Sequence, residues 1–177
     1  MTNLWNDSPP ANLDQFIHNM NALTDDPLAA EGTRMVICRG NPNAKLMVIG
    51  EAPGPRENEQ GKPFVGPSGR LLDQILGSVD FDSNTDVFVT NAVFRMPPGT
   101  GGKSVRTPTN DEIDDYRPYL MEIIRLIEPK IMLLTGAVSM QSVLNERRMG
   151  ITKMRGQWHQ VDGRWVCLLY TSPSPRD

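Results

Sequence analysis

The sequence predicts an α/β protein, a three-layer α/β/α arrangement around a short central parallel sheet of about four strands. Two observations carry this. Residues 45–50 (KLMVIG), 86–91 (DVFVTN) and 130–135 (KIMLLT) are short apolar runs of strand length bounded by turn residues. Between them lie segments whose apolar residues recur at helical spacing, so strand alternates with helix along the chain. Such units join parallel strands through right-handed crossovers and cover both faces of the sheet.

Each element follows from its own pattern. Leu13, Phe16, Ile17, Met20 and Leu23 share one helical face, defining a first helix over residues 11–23. Residues 45–50 then read as a fully buried strand. A helix over 68–76 follows, with Leu71, Leu72, Ile75 and Leu76 expected to face inward. The second strand, 86–91, ends on polar Asn91. Residues 97–109 (PPGTGGKSVRTPT) read as a flexible loop. Thr109 with Glu112 three residues on is a capping-box signature opening a helix to about Ile127. Its inward face includes Ile113, Leu120, Ile124 and Ile127, and Pro118 inside it is expected to introduce a bend. Residues 130–135 form the third strand and 137–144 a further core helix. Neither an internal repeat nor a domain linker interrupts this order.

The 177 residues match one domain at roughly 100–200 residues per domain. Hydrophobic residues at 38% and charged residues at 22% describe an ordinary globule. No apolar run reaches the roughly 20 residues of a membrane span, and the start MTNLWNDSPP has no basic segment followed by an apolar one. The expectation is a cytoplasmic monomer without membrane association. A net charge of -3 argues against nonspecific coating of nucleic acid and leaves room for a local contact. Cys38 and Cys167 are too few for a disulfide framework or a cysteine metal cluster.

In parallel sheets, ligands collect at the carboxyl ends of the strands, which puts residues 50–54 (GEAPG), Asn91 and Gly136 on one rim. A phosphate cradle is the first reading of a glycine-rich turn after a strand. The sequence has neither GxxxxGK[ST] nor GxGxxG, and residues 55–67 separate the turn from the next expected helix, so no helix N-terminus receives a pyrophosphate. The turn is expected instead to present backbone N–H groups in a concave nest favouring developing negative charge.

The ordered blocks GEAPG (50–54), GKPFVGPSGRLL (61–72), VTNAVFRMPP (89–98), PKIMLLTGAVS (129–139) and ITKMRGQW (151–158) together resemble the uracil-DNA glycosylase superfamily. The likeness is closest to its iron–sulfur branch, family four, and covers about residues 11–166. It implies an enzyme that extrudes a uracil nucleotide from DNA, holds the base, and stabilises charge as the N-glycosidic bond breaks. Phe64 would stack on the flipped base. Asn91 would offer a donor and an acceptor to its edge. Gly50, Glu51 and Ala52 would line the pocket, with Glu51 orienting water and supporting the sugar cation. Lys103, Arg106, Lys153 and Arg155 are candidate phosphate contacts. Each has a plainer alternative: a core aromatic for Phe64, a strand-end cap for Asn91, a solvated carboxylate for Glu51, and a solvated face for the cations. Pro63 and Gly66 around Phe64 favour a presented ring. His18 and His159 read as surface or capping residues.

The chain departs from that branch twice. Family-four enzymes carry four cysteines that ligate the cluster, and matching the motifs puts His18, Asn21, Arg95 and Tyr116 at those positions. None supplies a thiolate. The expectation is therefore no metal and no iron–sulfur cluster, with packing and hydrogen bonds holding the N-terminal helix and residues 95–116. Second, the family's His-Pro-Ser/Ala segment after the last strand is replaced here by VCLLYTSPSPRD. Residues 167–177 resemble a translated sequencing adapter, so the glycosylase-like domain is expected over 1–166 with its last strand truncated or replaced. Losing one donor to an anionic leaving group typically costs about 2.7–4 kcal/mol, a hundred- to a thousandfold in rate. The intact gene product is expected to be a uracil-DNA glycosylase acting on uracil-containing DNA in base-excision repair, and this chain to be impaired. Alternatives are a glycosylase for another deaminated or mismatched base, and a non-catalytic DNA-binding or polymerase-associated module of the same fold.

Overall fold

In the computed structural model, which describes residues 9–100, 104–145 and 156–169, a six-stranded sheet has helices packed on both faces. The strands are β1 (Cys38–Gly40), β2 (Leu46–Gly50), β3 (Val87–Asn91), β4 (Ile131–Thr135), β5 (Trp158–Val161) and β6 (Arg164–Leu169), in the order β1-β3-β2-β4-β6-β5. The helices are α1 (Leu13–Asn21), α2 (Pro55–Gln60), α3 (Pro67–Gly77), α4 (Asn110–Ile127) and α5 (Ala137–Leu144). The inner run β3-β2-β4-β6 is parallel, as expected, and β1 and β5 add an antiparallel strand at each edge.

The edge strands escape a reading of apolar runs for a physical reason. β1 is CRG with Arg39 at its centre, and β5 (WHQV) alternates exposed and half-buried positions. β6 pairs along β4 from Ile131↔Trp165 to Thr135↔Leu169, and its Cys167 and Leu168 are buried.

Alternation along the strands divides the core in two. Met47 and Ile49 of β2, Phe88 of β3 and Met132 and Leu134 of β4 pack with α1, α4 and α5. Val48, Val87 and Val89 face the other way, against Leu72 and Leu76 of α3 and the Phe64 ring. On α3 only the arc of Gly69, Leu72 and Leu76 is buried, whereas Leu71 and Ile75 are each 48% exposed. The expectation that all four apolar residues face inward is thus corrected: tandem pairs span too wide an arc for one sheet face to cover. Ile113, Leu120, Ile124 and Ile127 of α4 are buried as expected, and the helix runs through Pro118. Its capping box is present, with Thr109 Oγ1 accepting from Glu112 N–H at 3.2 Å and Glu112 Oε2 from Thr109 N–H at 2.8 Å. Among the described residues no helix is long and apolar enough to cross a membrane.

Candidate functional site

Gly50 and Asn91 end adjacent parallel strands and are direct partners in the register. The pairing continues past the strand ends, with Ala92 N–H donating to Gly50 O at 2.9 Å and Val93 N–H to Glu51 O at 3.0 Å. Thr135 Oγ1 donates to Ile49 O at 3.2 Å and joins β4 to the same rim. The carboxyl end of β2 is therefore held on both sides, by backbone pairing to β3 and by the Thr135 hydroxyl from β4.

Phe64 reaches this rim from the loop between α2 and α3. A Cβ on Gly50 would lie 2.3 Å from Asn91 Oδ1 and 2.5 Å from Phe64 Cζ, so the bare glycine is what lets amide and ring approach together. Asn91 is 2% exposed, while Glu51, Ala52 and Phe64 are half-buried. The rim thus brings together Gly50, Phe64 and Asn91; Glu51 is joined to it through its backbone carbonyl, and Ala52 packs against the core cluster that holds Ile49 and Phe88.

The backbone of Phe64 has φ +56°, a left-handed conformation costing a bulky L-residue of order 1–3 kcal/mol. Neighbours hold it there. Glu57 Oε1 accepts from the amides of Val65 (2.9 Å) and Gly66 (2.7 Å), and its Oε2 accepts from Gly54 N–H at 3.2 Å. One carboxylate therefore joins the GEAPG turn to the loop carrying the ring. From β1, Arg39 Nε donates to Pro63 O (3.0 Å) and its Nη2 to Phe64 O (3.4 Å), while Asp73 and Ser83 orient the guanidinium. Gly69 completes the seat, since a Cβ there would lie 1.9 Å from Phe64 O.

Helix α2 corrects one expectation. It starts at Pro55, directly after the turn, with Gly54 as its N-cap. Its sequence PRENEQ has no apolar periodicity and is polar on every side, so a search for buried faces passes over it. The conclusion against a phosphate cradle survives on other grounds: the Glu57 carboxylate already takes the Gly54 amide at that helix start. That amide is consequently unavailable to the expected anion-favouring nest.

Of the candidate DNA contacts, Lys103, Lys153 and Arg155 lie outside the described residues. Arg106 makes a bidentate pair with Glu112, Nη1 to Oε2 at 2.7 Å and Nη2 to Oε1 at 2.6 Å. That hydrogen-bonded pair holds the Glu112 carboxyl below the usual carboxylate range. The loop end at Arg106 is thereby tied to the start of α4. A groove of about 390 Å³ lined by Asp73, Asp80 and Asp82 includes none of the rim residues, and its carboxylates repel a phosphate backbone.

The positions matched to the family's cluster ligands do not fit an iron–sulfur group. His18 and Asn21 are exposed on α1. Arg95 and Tyr116 instead converge on Asp26, and Arg95 Nη2 donates to Leu23 O at 3.1 Å. The N-terminal residues facing positions 95 and 116 are thus Leu23 and Asp26, correcting the match to His18 and Asn21. A guanidinium has no lone pair to give, and burial with the nearby Asp26 keeps the Tyr116 phenol protonated. Cys38 lies elsewhere, on β1, with its thiol pushed up to about 12 by burial.

Glu57, Arg39 and Asp26 lie outside the blocks that the sequence motifs single out, and Gly69 lies inside the 61–72 block without a role assigned to it. Glu57 had one local signal, its position three residues after Gly54 at a helix start. Arg39 and Asp26 act on partners distant in sequence, which no local pattern reports.

The family model described as the uracil DNA glycosylase superfamily matches residues 38–177. The type-4 uracil-DNA glycosylase of Sulfurisphaera tokodaii is 39% identical over 128 residues, 71% of this chain and 56% of that protein. The Saccharolobus solfataricus protein of the same name is 39% identical over 123 residues, 68% of this chain and 55% of that protein. In Archaeoglobus fulgidus the corresponding protein is 30% identical over 156 residues, 86% of this chain and 75% of its own length. The chain spans about half the length of the first two. With Gly50, Phe64 and Asn91 meeting on one rim of an α/β sheet and the family match covering most of the chain, the protein belongs to the uracil DNA glycosylase superfamily.

Proposed function

We propose that this chain carries the base pocket of a uracil-DNA glycosylase, which removes uracil from DNA by hydrolysing the N-glycosidic bond. The observation that supports this most is the meeting of the Phe64 ring and Asn91 Oδ1 at Gly50, where a side chain of any size would separate them. A base extruded from the stack lies on the Phe64 ring, while Asn91 pairs with its edge. An amide supplies both a donor and an acceptor, and held in the orientation that pairs with uracil N3–H and O4 it mismatches the N3 and amino group of cytosine. As the C1′–N1 bond breaks, its electron pair leaves with the base as a uracil anion and the sugar becomes oxocarbenium-like. Glu51 orients a water toward C1′ and supports the cation; the water oxygen bonds to C1′, its proton passes to solvent, and the uracil anion takes up a proton from solvent to leave as the neutral base. Base-excision repair is the setting such chemistry serves, and the substrate partner is uracil-containing DNA. No step uses a metal or an iron–sulfur cluster.

The test is release of free uracil from a uracil-containing oligonucleotide under single-turnover conditions with protein in excess, so that slow chemistry is readable. Parallel oligonucleotides carry a thymine mismatch, hypoxanthine or xanthine. Uracil release lost in Asn91→Ala supports the proposal. Preferential release of another base moves the specificity, and DNA binding without release of any base leaves a non-catalytic module.

A further inference from the structure

We propose that Asp26, Arg95 and Tyr116 form a cofactor-free clip that fastens the segment after α1 to the exit of β3 and to α4, at the place where the family-four resemblance implies an iron–sulfur cluster. The inference rests on side-chain geometry and stands whether or not the chain releases uracil.

Asp26 is the hub. Its carboxylate side chain is 1% exposed and accepts from Arg95 Nε through both oxygens, at 3.1 and 2.9 Å. The Tyr116 hydroxyl donates to Oδ1, and Leu28 N–H does so at 3.2 Å. Arg95 Nη1 and Nη2 donate to the carbonyls of Thr33 and Leu23, which bracket the hub in sequence. Tyr116 is fully buried edge-on to Phe94, the residue before Arg95, with ring centroids 6.0 Å apart. Three stretches far apart in sequence, residues 23–33, 94–95 and 116, are thus joined at one point.

A cluster bound by four cysteines does the same mechanical work, joining distant stretches of chain through one centre. Here Leu23 and Asp26 come from the N-terminal stretch, spaced three apart as His18 and Asn21 are, and Arg95 and Tyr116 face them. The place is filled by a charge pair rather than by soft donors. A guanidinium at this point also repels an incoming metal cation. The clip therefore needs no iron, no sulfide and no reducing conditions.

The test begins with the wild-type chain after anaerobic incubation with ferrous iron and sulfide. It should retain no iron, show no visible absorption band, and melt at the same temperature with or without a chelator. Asp26→Asn leaves Arg95, whose side chain is only 12% exposed, without its counter-charge and should lower Tm by roughly 6–20 °C. Arg95→Met added to Asp26→Asn should recover part of that loss, because the unpaired charge is then gone. The set Leu23→Cys, Asp26→Cys, Arg95→Cys and Tyr116→Cys should gain iron and a visible band on the same incubation. The set with His18→Cys and Asn21→Cys in place of the first two should stay colourless. Iron retained by wild type, an unchanged Tm in Asp26→Asn, or colour in the His18 and Asn21 set alone would each overturn the proposal.

Discussion

Glu57 and Asp26 are both acidic side chains that tie separate loops together, one beside the Phe64 ring and the other under α4, and they do so by different physics. Glu57 accepts three backbone amides, lies half-buried, and holds a strained residue at the rim. The Asp26 side chain is 1% exposed and holds a guanidinium and a phenol. Water can partly replace what Glu57 does, whereas nothing replaces the counter-charge at Asp26. The first shapes a site and the second holds the architecture, and the opposite faces of the sheet keep these tasks apart.

Variants that separate the two effects sharpen the contrast. The largest expected loss is Asp26→Ala, about 3–5 kcal/mol by urea denaturation, because the nearly buried Arg95 is left without its counter-charge. Uracil release per folded molecule should change little. Glu57→Gln should cost about 1–3 kcal/mol, since its amide turns an N–H group toward at least one of the three backbone N–H donors that the carboxylate accepts from. Its main effect should fall on uracil release, through a loosened Phe64. Equal stability losses in the two variants, with equal effects on release, would break the distinction.

Gly50→Ala isolates the rim. Its new Cβ would fall 2.3 Å from Asn91 Oδ1, so amide and ring must separate. Overpacking of this kind costs about 1–3 kcal/mol, and base capture should fall well beyond what that loss explains. Normal uracil release by a folded Gly50→Ala protein would show that the three residues need not meet.

The smallest effect concerns a third ion pair. Arg106 holds Glu112 below the usual carboxylate range, so the pair stabilises the fold above that range and loses its contribution as pH falls through the lowered value. Arg106→Gln should therefore cost about 0.5–1 kcal/mol near neutrality, reduced by salt because the arginine is partly exposed. The gap from wild type should close on acidification, as followed by melting temperature against pH.

What the sequence discloses follows from which residues face a core. β2, β3, β4 and α5 are continuous apolar stretches or strong periodic faces, and Thr109 with Glu112 marks the start of α4 to the residue. The rim residues were legible because turn and strand end coincide at Gly50 and Asn91. Helix α2 was hidden because it is held by a glycine cap and Glu57, with no buried face of its own. Arg39 carries a single charge in a three-residue edge strand, and Asp26 gives no local sign that it meets Arg95 and Tyr116. Such long-range polar contacts are set by the finished fold, which no window of sequence contains.

The most direct measurement is single-turnover release of uracil from DNA by the wild-type chain and by Asn91→Ala, with melting curves recorded for both. The expected result is slow release by wild type and a rate at least about a hundredfold lower in a folded Asn91→Ala protein, as for the loss of a key donor to a leaving anion. Equal rates in the two proteins, or no uracil released by a folded wild-type chain, would contradict the assignment of this rim as a uracil pocket.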